Sequence, residues 1–319
     1  MNEGREFVGR KYSQEEEDGM RAAMGEWAKQ ASEPFEGEQQ KTEEEMHMIE
    51  VINDLIREEL VSLGITDYAA AEPARVHLLS AEVFQREFTN GPHAIFLPAE
   101  DLAAVNCDNA DTDQSKFADI LHELIHRASL QLFYGSKDKR LSYARLGYHF
   151  RTPWKQENER DVLQGFNEIL LVHTQRKIFM KNAELLRREF GFTSDDLDGP
   201  IYNYMRYAPL LQSIVTSVSG ASGMSESEVF DEFELGQFRL KIPIMKEIAR
   251  AYGGKALRTL SYLMALPEGE EREKLDSDII RYFATEDRAT RDILGEEIHE
   301  YFLTHHNIQD ENGNSTNTV

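Results

Sequence analysis

Ile120-Leu121-His122-Glu123-Leu124-Ile125-His126 is the stretch from which the rest of the chain can be read. It carries the pattern HExxH inside a run with helical spacing. Histidines four apart on a helix lie about 40° apart in azimuth and one turn along the axis, so both imidazoles lean toward one point. Neutral imidazole is a good zinc ligand, and two from one rigid helix lose little entropy on binding. Glu123 sits one step round the helix, displaced from ligation but placed to accept a proton from an activated water. Around the motif, Ser115 to Leu130 reads as helical, with Phe117, Leu121, Leu124 and Ala128 on an apolar stripe separate from the histidine face.

A catalytic zinc keeps three protein ligands and an open fourth position, so the third is expected from a separate element downstream. Glu168 meets that expectation. It lies in Leu163-Gln164-Gly165-Phe166-Asn167-Glu168-Ile169-Leu170-Leu171, within a helix expected from about Glu157 to Phe179. A carboxylate in so apolar a run is costly unless paired or coordinated. Gly165, one turn earlier on the same face, weakens the helix by about 1 kcal/mol against alanine, which calls for a close packing partner; the motif helix would be one. Glu157 and Glu159 are rival ligands nearer the helix start, where acidic residues complement the dipole.

Upstream of the motif, Met46, Ile49, Ile52, Leu55, Ile56, Leu60 and Leu63 recur at helical spacing until Gly64. A buried strand is expected at Arg75 to Leu79, a helix capped by Ser80 reaching Phe88, and a second strand at His93 to Leu97 stopped by Pro98. Leu141 to Phe150 has strand character. Beyond Asp195 the pattern is almost wholly helical, at about 207–218, 226–233, 242–252, 256–264 and 277–302. The class this predicts is α+β, mainly α. The expected divisions are an acidic lead-in over 1–42, disordered except for a short helix around Met20 to Lys29, a metal-binding core over 43–185, a helical C-terminal subdomain over 186–306 and a disordered tail over 307–319.

Composition limits the partners. The 319 residues hold 35 basic and 58 acidic side chains, net −23, so phosphate backbones and anionic lipid surfaces would repel the chain. Neither a nucleic acid nor a membrane is an expected partner. The first residues lack a basic region and apolar run of the signal-peptide kind, and no stretch approaches a membrane span, so the cytoplasm is the expected location. Cys107, the single cysteine, rules out an intramolecular disulfide, and with Asp108 beside it an unreactive thiol is expected.

HExxH followed some forty residues later by Asn167-Glu168 on a second helix resembles the gluzincin metallopeptidases, the thermolysin-like clan. The resemblance covers about residues 45 to 180 as a pattern, and only His122, Glu123, His126, Asn167 and Glu168 match specifically. It implies a zincin-like core: a backing helix, a small sheet with an edge strand along the cleft, the HExxH helix and the third-ligand helix. It implies Zn²⁺ held by His122, His126 and Glu168, with Glu123 as general base in hydrolysis of a peptide or protein substrate. In that clan a Tyr or His beyond the third ligand often stabilises the oxyanion. Tyr207, on a stripe with Leu211, Ile214 and Val218, is the expected counterpart, ahead of Tyr204, Tyr148 and His149. The strand 93–97 would stand where the clan places its substrate-binding edge. One position departs: thermolysin-type members carry an Asp one turn after the third ligand, orienting a zinc histidine, and here Val172 stands there. The rival expectations are a zinc amidohydrolase acting on something other than a peptide, and a non-catalytic zinc-containing binding protein.

Overall fold

Helices open on capping boxes at Ser13 with Glu16, Thr42 with Glu45 and Ser225 with Glu228: the hydroxyl takes a backbone N–H of the first turn, and the glutamate reaches back to the cap's own N–H. The computed structural model describes residues 5–7, 12–88, 93–108, 112–135, 141–151, 161–192 and 206–311. They fall into two units, one of residues 1–147 and 171–203, the other of residues 148–170 and 204–319.

The first unit begins with β1 (Arg5–Phe7) and α1 (Gln14–Gln30), followed by α2 (Glu43–Ser62), β2 (Val76–Leu79), α3 (Ala81–Glu87), β3 (Ala94–Leu97), β4 (Leu102–Asn106) and α4 (Asp113–Ala128). β5 (Gln131–Gly135) and β6 (Leu141–Leu146) come next, then the part of α5 (Gln164–Lys181) beyond residue 170, and α6 (Ala183–Phe190). β4 is central in a three-stranded sheet, parallel to β2 and antiparallel to β3, which leaves β3 at one edge. β5 pairs antiparallel with β6 and parallel with β1. α2 buries Met48, Ile49, Ile52, Leu55, Ile56 and Leu60, the stripe that its spacing predicts, and packs on α4; α4 packs in turn on β3 and β4.

The acidic lead-in, expected as disordered apart from a short helix, carries β1 and a helix, α1, longer than the 20–29 expected. Met20, Met24 and Ala28, spaced four apart, are the buried face of α1. Its continuation is tied down at His77 on β2. That imidazole is 1 % exposed, with Nδ1 2.7 Å from a Glu38 carboxylate oxygen and Nε2 2.7 Å from the Ala31 carbonyl oxygen. A buried histidine with both ring nitrogens on acceptors from one segment anchors that segment.

The second unit holds the hairpin of β7 (His149–Arg151) and β8 (Asp161–Val162), the first turns of α5, and then α7 (Ala208–Ser222), α8 (Glu226–Phe238), α9 (Ile244–Tyr252), α10 (Ala256–Ser261), α11 (Glu270–Ala284) and α12 (Arg288–Glu311). α7 supplies Leu210, Leu211, Ile214, Val215 and Val218 to a core shared with Phe233, Ile248, Leu260, Ile279 and Ile298. The helix expected from Glu157 starts only at Gln164, because residues 161–162 form β8 and Leu163 turns the chain with φ at 62°. The single helix expected over 277–302 breaks into α11 and α12, where Asp287 accepts the Thr290 backbone N–H at 2.7 Å and starts a new helix. α12 runs on to Glu311, past the expected start of the tail; residues 312–319 lie outside the described residues.

The fold is thus mainly helical with small sheets, of the α+β class. The break between the units does not fall at 185/186, because α5 starts in one unit and ends in the other. Among the described residues no helix is long and apolar enough to cross a membrane.

Candidate metal centre

α4 is fixed at both ends. Thr112 caps it by accepting the Ser115 backbone N–H, and at the far end the Gln131 side-chain amide donates to the Arg127 carbonyl at 2.9 Å. Phe117, Leu121 and Leu124 are each 0 % exposed, so the apolar stripe is the core face and sets the rotation of the helix.

α5 runs antiparallel to α4. Phe117 packs edge-on against Phe179 with centroids 5.4 Å apart, and the Gln175 amide donates to the Ala118 carbonyl at 2.7 Å. Glu59 on α2 fixes the same half of α5 by receiving Lys177 at 3.0 Å and Lys181 at 3.2 Å. Moving toward the start of α5 therefore means moving toward the end of α4. Glu168, two turns before Gln175, arrives at His122 and His126. One ligand atom from each of the three lies within 4.8 Å of the others. The two imidazoles are 4.9 Å apart at their centroids, with planes at 75°.

His122 and Glu168 are half-buried, so the group is open to solvent on one side. His126 is 8 % exposed and Glu123 6 % exposed. Burial pushes the Asp119 carboxyl above its ordinary range, and the neighbouring charges of His122 and His93 only partly offset this. Asn167, 1 % exposed, accepts the Tyr148 backbone N–H at 2.7 Å, so it secures the chain entering β7 against α5 and does not join the metal group. Val172 is buried.

Gly165 has the close partner its place in a helix calls for, but that partner is not the motif helix. A Cβ there would lie 2.5 Å from the Leu263 carbonyl oxygen, in the turn that follows α10. Tyr207 lies in the core of the second unit, 1 % exposed, just ahead of α7. Its hydroxyl donates to Asp276 and accepts from Arg206, both at 2.6 Å, and burial together with Asp276 pushes its phenol up to about 12. Tyr148 is also buried, its hydroxyl pressed against Gly236, while His149 is 6 % exposed. Tyr204, Glu157 and Glu159 lie outside the described residues. Burial pushes the Cys107 thiol up to about 11, which keeps it protonated and unreactive at neutral pH.

Sequence reasoning missed Glu59 and Gln175, the residues that set the register of α5. The signal was there. Gln175 follows Glu168 by seven, two turns on the same face, and Lys177 and Lys181 share a face one turn apart. No protein-family model, curated protein or solved structure matches the chain.

Proposed function

We propose that the chain is a zinc-dependent peptidase, with His122, His126 and Glu168 as metal ligands and Glu123 as general base. The observation that carries this reading is the convergence of those three side chains from two helices. Two imidazoles and a carboxylate are a donor set suited to catalytic zinc, in which three protein ligands leave one position open. Ligands round a tetrahedral zinc stand about 3.4 Å apart, so a spread of 4.8 Å or less needs only a small inward movement. A bound zinc would supply Lewis-acid chemistry, polarising a carbonyl and lowering the pKa of water.

The rest falls to the chain's own groups. Glu123 follows His122 on α4, takes the proton of the attacking water and delivers it to the departing amine. Its burial favours that role, since a carboxylate screened from bulk water exchanges protons with its immediate partner. Tyr207 is the proposed donor to the developing oxyanion. That role rests on its place in the sequence alone: in the structure the hydroxyl is buried and donates to Asp276, so serving the oxyanion would require exchanging that hydrogen bond. β3, at a sheet edge and packed on α4, favours a peptide over a small amide as substrate, because an extended chain can add to an open edge.

The test is metal content by mass spectrometry on wild type, His126→Ala and Glu168→Ala, followed by a peptide-library assay with Glu123→Gln. The expected result is one zinc per chain in wild type, lost from both ligand variants. Glu123→Gln should keep the zinc while turnover drops by a factor on the order of 10² or more. Full zinc in Glu168→Ala would place the third ligand elsewhere, and a metal-free wild type after zinc is restored would end the proposal.

A further inference from the structure

A cavity of about 250 Å³ lies in the first unit, bounded by α1, by the stretch before β2, by the turn between β3 and β4, and by the end of α4. Its charged lining is Arg21, Arg75 and Arg127 against Glu72 and Asp101, three guanidiniums to two carboxylates in a chain of net charge −23. Arg127 is fixed there: 6 % exposed, it donates to the Ala69 carbonyl at 2.6 Å and to Asp101 at 3.2 Å, with its Nε 3.0 Å from the other Asp101 oxygen. Arg75 donates to Asp101 at 2.8 Å. Asp101 holds this place with φ at 57°, in the left-handed region that non-glycine residues rarely occupy. By accepting from both guanidiniums, the Asp101 carboxylate holds them as a fixed pair at the cavity wall.

The opposite wall is kept open. Gly25 lines the cavity from the interior of α1, and a Cβ built there would meet nothing within 4 Å. A helix-interior glycine is destabilising relative to alanine, and no neighbouring atom in the protein demands it here. Gly25 is exposed, so a larger side chain would stand at the mouth of the cavity and narrow it. The site is also separate from the metal group, since Arg127 is turned about 100° round α4 from His126.

We propose that this cavity binds a small oxyanion, a phosphate- or carboxylate-bearing molecule of metabolite size, received by Arg21, Arg75 and Arg127. Guanidinium forks match both head groups, and a preset pair loses little freedom on binding. The proposal stands independently of the zinc reading.

Calorimetric titration of the full chain with inorganic phosphate and with succinate, at constant ionic strength, tests it and separates the two head groups. Saturable one-site binding of at least one probe is expected. Arg21→Ala, at an exposed rim position, should weaken it by on the order of tenfold, and Gly25→Leu should weaken it by at least as much by narrowing the mouth of the cavity. Leucine is a good helix former, and circular dichroism checks that this variant folds; if it does not, Arg21→Ala decides alone. No saturable binding of either probe up to tens of millimolar would overturn the proposal. So would binding that survives unchanged in the folded variants.

Discussion

Replacing Gly165 with alanine tests the packing of α5 at the turn that leads into Glu168. A Cβ at this position would lie 2.5 Å from the Leu263 carbonyl oxygen, 2.9 Å from its carbonyl carbon and 3.0 Å from Met264 Cγ. Two of these are main-chain atoms that no rotamer change can move aside. The turn that carries them is held, because the Met264 backbone N–H donates to Asp276 at 2.9 Å and Met264 itself has φ at 59°. Relief therefore requires a backbone shift of roughly 1 Å, an overpacking cost of about 1–3 kcal/mol. Helix propensity returns about 1 kcal/mol. The net expectation is a destabilisation of up to about 2 kcal/mol, read as a lower urea midpoint at unchanged slope. Gly25→Ala is the control. With nothing within 4 Å of its Cβ, it should stabilise by up to about 1 kcal/mol. Under the proposed zinc reading, because Gly165 lies one turn before Glu168, a shifted helix start should also weaken zinc binding by about tenfold, the low end of what disturbing a ligand's support costs. A Gly165→Ala protein stabilised by about 1 kcal/mol, the same as Gly25→Ala, would refute the close approach to Leu263.

Other parts of the structure give further expected outcomes. His77→Phe removes one member of a buried pair whose side chains are 1 % and 3 % exposed and leaves Glu38 with Lys41 at 3.4 Å and the Phe35 backbone N–H at 3.0 Å, so a loss of about 1.5–3 kcal/mol is expected in urea unfolding. A loss under 1 kcal/mol would mean that the segment around Glu38 is not anchored there. Glu59→Gln should cost only about 1 kcal/mol, since Lys177 and Lys181 are partly solvent-screened. Burial alone would raise the Glu59 pKa, but the hydrogen bonds and charges of those lysines outweigh it and hold the value below the usual 4.5. A depressed carboxyl contributes stability that is present above 4.5 and is lost as pH falls through the folded value. Wild type should therefore lose its advantage over Glu59→Gln in unfolding midpoints measured below about pH 4.5; a difference that persists at pH 2 would count against the ion pairs. Tyr207→Phe deprives Asp276 of a hydrogen bond inside the core, worth about 1.5–3 kcal/mol to a charged acceptor. Under the oxyanion role it should also lower turnover by about 10²–10³ with zinc retained, and unchanged turnover would confine Tyr207 to the core.

Where one residue's neighbours in sequence decide its surroundings, the chain could be read directly. α4 is such a case: its apolar stripe and its two histidines all lie within one continuous helix, and Ser115 to Leu130 anticipates Asp113–Ala128 closely. α2 and the strands at 76–79 and 94–97 were legible for the same reason. Glu168 could be picked out because a lone carboxylate in an apolar helix requires a partner, whatever that partner is. β4 was missed, since Leu102-Ala103-Ala104-Val105-Asn106 is buried on both faces and shows no alternation. β1 is three residues long and pairs with β5 more than a hundred residues away, a contact that no local pattern encodes.

Gly165 marks the boundary between what the sequence could and could not supply. Its position in a helix calls for close contact, and the contact exists, but composition carries no information on which segment makes it. The motif helix was the economical choice because it was already known to be near; the turn after α10, almost a hundred residues on, is what the chain uses. The same limit applies to Glu59 and Gln175. Both sit among other polar residues, Glu59 beside Arg57 and Glu58 and Gln175 between Thr174 and Arg176, and Lys177, Lys181 and the Ala118 carbonyl become identifiable as their partners only once α2, α4 and α5 are side by side. The arrangement has a functional consequence under the proposed reading. The HExxH pair is set by one helix and tolerates distant change, whereas the third ligand depends on the axial placement of α5, which Glu59, Gln175 and the Phe117–Phe179 contact determine. Substitutions at these remote positions should therefore act on metal affinity through Glu168 and leave the geometry of His122 and His126 unaltered.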